Sequence, residues 1–188
     1  MGREASDYTA SIFAYCLNAN SVTIWKDVDG IFNADPKKFK NTTLLEKISY
    51  TEAIELAFYG ASVIHPKTIQ PLQKKEIPLY VKSYINPTAL GTCVSKSKDI
   101  FPKVPCYILK ENQILLSISS LDFSFTINDK TKAILTLLSN NKVKINLTQN
   151  SAISLILCLE DDYNNIDKLI TELKSNFKIT IKKDLKLY

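Results

Sequence analysis

Apolar residues recur along the chain at two different periods. Behind Ser6 and Asp7, the positions Ile12, Phe13, Cys16 and Leu17 fall at helical spacing, so the run Tyr8 to Leu17 reads as a capped helix. Val22 to Trp25 is β-branched and aromatic and predicts a strand, and the polar stretch from Lys26 to Pro36, with Gly30 inside it, predicts a long loop. Ser49 followed three residues later by Glu52 is a capping box, so a second helix is predicted through Ile54, Leu56 and Ala57 toward Gly60. Pro66 suits the first turn of a third helix ending before Ile77-Pro78, and Leu79 to Val81 predicts another strand. Strands alternating with helices predict an α/β unit with a mainly parallel sheet.

The rhythm changes after Pro105. Ile114 to Ile118 predicts a strand, and Lys130 to Leu138 an amphipathic helix with Ala133, Ile134, Leu137 and Leu138 on one side. Val143 to Leu147 alternates as a strand, and Ala152 to Leu159 is a nearly continuous apolar strand. Ile166 to Leu173 is a helix with an apolar face, and Phe177 to Ile181 a last strand. The predicted order β-α-β-β-α-β is the ferredoxin-like motif. All 4 glycines and all 7 prolines precede residue 106, which places a boundary near Pro102 to Pro105 and divides the chain into domains 1–103 and 104–188.

Composition narrows the function classes. The 188 residues are 45% hydrophobic and 23% charged, as in ordinary folding domains. The net charge of +5 is spread without a basic stripe, which argues against a nucleic-acid partner. The 4 cysteines form no C-x-x-C pair and His65 stands alone, so no metal site is expected. Cys16 and Cys158 lie in apolar runs and read as reduced, buried residues of a cytoplasmic protein. No apolar stretch approaches the roughly 20 residues that span a bilayer, so no membrane is expected.

Three segments carry candidate chemistry. Gly2 to Asp7, G-R-E-A-S-D, sets Arg3 and a hydroxyl at a helix start, where free N–H groups favour a carboxylate or phosphate; the alternative is that Ser6 and Asp7 only cap the helix. Trp25 to Lys37 follows a strand, the place where ligands collect in α/β sheets, and offers Asp27, Asp29, Asp35 and Lys37 to a nucleotide, or else forms a polar turn. In Tyr59 to Thr68, His65 before Pro66 reads as a cap or packing residue rather than a base.

Together these segments resemble the aspartate kinases of the amino-acid kinase family. G-R-x-x-S-D-x-T-A, W-x-D-V-x-G-I-x-x-A-D-P-K, E-A-x-E-L-A-x-x-G-A-x-V-I-H-P and G-T-x-V-S-K stand in that family's order and spacing over residues 2–96. Residues 105–188 resemble the ACT module that follows in that family, chiefly through D-F-S-F at 122–125 and I-N-L-T-Q-N-S-A-I-S at 145–154. Ala5 stands where the family carries its second motif glycine, and Ser62 where many members carry a lysine.

The resemblance implies the C-terminal portion of a carbamate-kinase-like parallel-sheet domain followed by a ferredoxin-like ACT module. It implies phosphoryl transfer from ATP, with Mg2+, to the side-chain carboxylate of L-aspartate, giving 4-phospho-L-aspartate, the first step toward lysine, threonine and methionine. Arg3 and Ser6 would bind aspartate, and Asp7 would orient the catalytic lysine. Lys26, Asp27, Phe32, Lys37, Ser62 and Val63 would line the ATP site. Asn146, Asn150 and Ser151 would meet a lysine or threonine effector, with homodimers forming through the ACT modules. The family's K-F-G-G-T-S-type segment does not occur ahead of Met1, so the chain is expected to be an internal piece without kinase activity of its own. The alternative is a non-catalytic, amino-acid-sensing regulatory subunit.

Overall fold

A computed structural model describes residues 5–60, 63–97, 100–121, 127–151 and 153–188. It divides into two compact units, Met1–Leu109 and Lys110–Tyr188, each with its own core. The proline-rich stretch that suggested a boundary lies inside the first unit, because residues 101–107 are hydrogen-bonded back onto it.

The first unit runs α1 (Ala5–Leu17), β1 (Val22–Lys26), β2 (Lys47–Ser49), α2 (Tyr50–Tyr59), α3 (Pro66–Lys75), β3 (Leu79–Ser83) and β4 (Thr92–Ser95). Its sheet has the order β1-β3-β4-β2. β1 pairs with β3 and β2 with β4 in parallel, as the α/β alternation predicts, but β4 runs antiparallel to β3, with Val81 opposite Thr92. The capping box at Ser49 and Glu52 is present, and the Nδ1 of His65 accepts the Lys67 N–H at 3.1 Å, so this histidine caps α3. Leu45, Ile69, Leu72, Leu79, Val81 and Val94 are fully enclosed in the core. Tyr50 is buried among them with its hydroxyl donating to the Ile77 carbonyl at 2.8 Å, and burial, with Cys93 and Glu76 nearby, pushes its phenol up to about 12.

Helix α1 faces the opposite way from its apolar pattern. Asp7, Ser11 and Ala14 point inward, whereas Ile12, Phe13 and Leu17 are exposed, and Cys16 is exposed with them. Small inward residues permit close approach of α1 to α3 and β1. Lys75 secures the end of α1, donating to the Tyr15 carbonyl at 2.6 Å with its ammonium 4.1 Å from the Tyr15 ring. Ser6 and Asp7 fall within the first turn of the helix rather than ahead of it.

The second unit is β5 (Lys110–Ser119), α4 (Ile127–Asn140), β6 (Lys144–Asn150), β7 (Ser154–Glu160), α5 (Ile166–Lys174) and β8 (Lys178–Leu187), the predicted βαββαβ order. Its antiparallel sheet has the order β6-β7-β5-β8. Leu116, Ile118, Leu155, Leu157 and Leu159 pack against Ile134, Leu138, Leu169 and Leu173 of the helices. Cys158 is buried, as its apolar run suggests.

Candidate functional site

In parallel strands the carboxyl ends share one edge, and here Lys26 of β1 and Ser83 of β3 end side by side. The Tyr84 N–H donates to the Lys26 carbonyl at 2.9 Å, and the Ser83 hydroxyl, 1% exposed, receives the N–H groups of Ile85 and Asn86 at 3.3 Å each. Because β4 is reversed, its first residue, Thr92, reaches the same edge. This is where α/β sheets place their ligands.

Asp7 reaches this edge from the first turn of α1. Its residue is 7% exposed and its Oδ2 lies 2.6 Å from the Lys26 Nζ, so two residues predicted for separate roles form one ion pair. The pair holds a largely buried lysine side chain at the edge and balances the charge of a carboxylate that burial would otherwise penalise. The Ser6 hydroxyl lies at 3.5 Å from the Asp7 Oδ1.

The loop after β1 wraps the same edge. Asp27 and Asp29 are exposed on it and Lys37 is exposed at its far end, where the Lys37 N–H donates to the Asp35 Oδ1 at 2.9 Å in a tight turn. Between them the backbone dives inward. Gly30, at φ +151°, is buried, and a Cβ there would lie 2.6 Å from the Thr92 Oγ1 and 2.8 Å from Leu44. The Ile31 N–H donates to the Thr92 Oγ1 at 2.8 Å, and Phe32, half-buried, forms a bridge to Leu44. Asn33 is 8% exposed, and its Oδ1 accepts the Thr43 N–H at 2.7 Å while its Nδ2 donates to the Pro105 carbonyl at 3.0 Å.

Asp7, Lys26, Asp27, Phe32 and Lys37 therefore belong to one edge and its loop. Val63 packs against the apolar core instead. Arg3 and Ser62 lie outside the described residues. Sequence reasoning missed Ser83, Thr92 and Asn33; Thr92 sits in the quoted G-T-x-V-S-K segment, and Asn33 occupies a variable position of its own motif. Two concavities among the described residues, about 570 Å3 beside Leu135 and about 290 Å3 beside Lys75, contain none of these residues.

In the second unit Asn146 sits at an irregularity of β6, where the register with β7 shifts between Ile145 and Leu147. Its Nδ2 donates to the Gln113 Oε1 at 2.7 Å and the Glu160 Oε2 at 3.2 Å, and its Oδ1 accepts from the Lys110 Nζ at 2.8 Å. Burial acts to raise the Glu160 carboxyl, but the Asn146 amide and the Lys144 ammonium outweigh it and hold the group below its ordinary value. Burial, with Lys144 close by, pushes Lys110 down. Asn150 is exposed at the end of β6, and the Ser151 hydroxyl closes the following turn at 2.7 Å from the Ser154 hydroxyl.

Residues 1–83 match the model of the amino acid kinase family. The bifunctional aspartokinase/homoserine dehydrogenase of Buchnera aphidicola is 34% identical over 197 residues, covering 98% of this chain and 23% of that protein. The crystal structure of Escherichia coli aspartokinase III with lysine and aspartate superposes with a TM-score of 0.84 at 30% identity, over 99% of this chain and 42% of that one. The same enzyme with aspartate and ADP gives a TM-score of 0.80 at 30% identity, over 98% of this chain and 43% of that one. The chain thus spans about a quarter to two fifths of the length of these relatives.

Proposed function

The chain belongs to the amino acid kinase family, in its aspartokinase group, and on that premise we propose that it serves the transfer of the terminal phosphoryl group of ATP to the side-chain carboxylate of L-aspartate. The observation that carries this reading is the Asp7–Lys26 ion pair at the carboxyl edge of β1, with the Asp27-to-Lys37 loop folded over the same edge. Phosphoryl transfer asks the protein mainly for positioning and charge neutralisation, and this edge supplies both. Lys26, fixed by Asp7, and Lys37 would meet the phosphates of MgATP, with Asp27 beside them and Phe32 toward the base. Ser62 would complete the nucleotide side, with Val63 only packing against the core, and Arg3 and Ser6 would hold the aspartate. E. coli aspartokinase III, solved with aspartate and ADP, supports both ligands.

The same relative was solved with lysine. This favours a second reading for the βαββαβ unit as an amino-acid-sensing ACT module, with lysine or threonine near Asn146, Asn150 and Ser151 and pairing between two copies. The reading of the whole chain as a non-catalytic sensor rests on that unit alone.

The deciding experiment measures aspartate-dependent ADP release by the chain alone and with the N-terminal portion of aspartokinase III added in trans. We expect turnover only in the second case, and its loss in Asp7→Asn. No turnover in either case, with millimolar lysine still bound in calorimetry, would replace the kinase reading with the sensor reading.

A further inference from the structure

The segment 101–109, which leads directly into β5 at Lys110, lies along the Asp27-to-Lys37 loop and its continuation as a strap. The Asn33 Nδ2 donates to the Pro105 carbonyl at 3.0 Å, and the Tyr107 N–H donates to the Asn33 carbonyl at 2.7 Å. Beside these, the Lys38 Nζ reaches the Leu109 carbonyl at 3.4 Å, and the rings of Phe39 and Tyr107 stand 6.4 Å apart at 30°. Farther back, Lys47 and Phe101 exchange backbone hydrogen bonds at 2.9 and 3.0 Å. One buried side chain joins both sides: the Asn33 amide accepts from Thr43 with its oxygen and donates to the strap with its nitrogen.

We infer that Asn33 is a positioning residue for nucleotide binding, which sets the conformation of the Asp27-to-Lys37 loop by clamping it to the 101–109 strap. The inference rests on the nucleotide reading of that loop. Both hydrogen bonds of the Asn33 side chain go to backbone groups of this unit, so its effect on a ligand passes through the loop it holds. Loop and strap exist in one joint arrangement, so a nucleotide that orders the loop also orders the strap, and displacement of the strap weakens the nucleotide by the same factor. An amide suits the position because it accepts at Thr43 and donates at Pro105 from two separate atoms, Oδ1 and Nδ2.

Asn33→Asp separates the two halves of the clamp. The carboxylate still accepts the Thr43 N–H but has no hydrogen for the Pro105 carbonyl and repels it. The test measures MgADP binding by calorimetry, together with hydrogen exchange of segment 101–109 with and without MgADP. In the unaltered chain we expect MgADP to slow exchange at Tyr107. In Asn33→Asp we expect binding weaker by roughly three- to tenfold, the loss of one hydrogen bond, with no slowing in the strap and with Thr43 still protected. Tyr107→Ser, an exposed position that leaves the core untouched, removes the Phe39 ring contact and should shift both readouts in the same direction. If the unaltered chain binds MgADP but its strap does not respond, or if Asn33→Asp binds as tightly, the clamp is wrong and the nucleotide reading stands. If the unaltered chain binds no MgADP even with the N-terminal portion of aspartokinase III added in trans, both fall.

Discussion

Replacing Thr92 by valine removes one hydroxyl and keeps the shape of the side chain. Thr92 is fully buried, and its Oγ1 accepts the Ile31 N–H at 2.8 Å. The same hydroxyl lies 3.5 Å from the Ile31 carbonyl, but that carbonyl already accepts the Leu45 N–H at 2.9 Å. The substitution therefore orphans a single group, the Ile31 amide, in a place water does not reach. An unsatisfied buried donor costs about 1–3 kcal/mol. With a urea dependence of about 2 kcal/mol per molar, the unfolding midpoint of the first unit should fall by roughly 0.5–1.5 M at unchanged slope. The chain has 1 tryptophan, Trp25 on β1, so its fluorescence follows this unit alone. A midpoint within about 0.1 M of the unaltered chain would refute the argument, since it would mean that the loop finds another partner for Ile31 at no cost.

Four other outcomes follow from the same geometry. Gly30→Ala should destabilise the first unit by about 2–5 kcal/mol, because it combines a left-handed backbone with a Cβ 2.6 Å from the Thr92 Oγ1, and Trp25 fluorescence in urea reads it. Gly91→Ala should be at least as damaging by the same assay, since its Cβ would collide with the Val81 carbonyl, a backbone group that cannot step aside. Leu157→Ala, at a fully buried position, should cost the second unit about 2–5 kcal/mol by circular dichroism and leave the Trp25 transition unchanged. Glu160 titrates below its ordinary value in the folded chain, so the stability it contributes is present above the unfolded carboxyl pKa and is lost as pH falls through the folded one. The second unit should thus weaken on acidification from neutral to about pH 3, and Glu160→Gln should weaken less; equal slopes would count against the assignment.

Signals carried by neighbouring residues were legible in the sequence. The Ser49–Glu52 box, the His65-Pro66 start and the period of the second unit each lie within one turn or one strand, and the structure has them where the pattern places them. Strands β2 and β4 were not legible, because three and four residues are too few to display a period of two. The reversal of β4 also escaped, since strand direction depends on the connection and not on composition. Helix α1 misled for a different reason: its larger side chains are apolar, yet its contact with α3 and β1 uses Ser11 and Ala14, so counting apolar residues selected the wrong face. In the site, motifs marked Asp7 and Lys26 individually, but their ion pair joins a helix start to a strand end and exists only once β1 has docked.

The contacts that shape the Asp27-to-Lys37 loop are remote along the chain. Ile31 is held by a residue 61 positions away and Asn33 by one 72 positions away. Closing such spans has an entropic cost that local helices do not incur, and it is repaid only when both ends are already in place. Helices α2 and α3 can therefore form early in folding, while the loop takes its final course only after β4 and the 101–109 segment have docked. A polypeptide emerging from the ribosome would carry this edge unformed until the residues around Pro105, 72 positions beyond Asn33, were out. In the finished protein the order reverses: the loop should be among the first parts of the unit to open, well before the core around Leu72 and Val81.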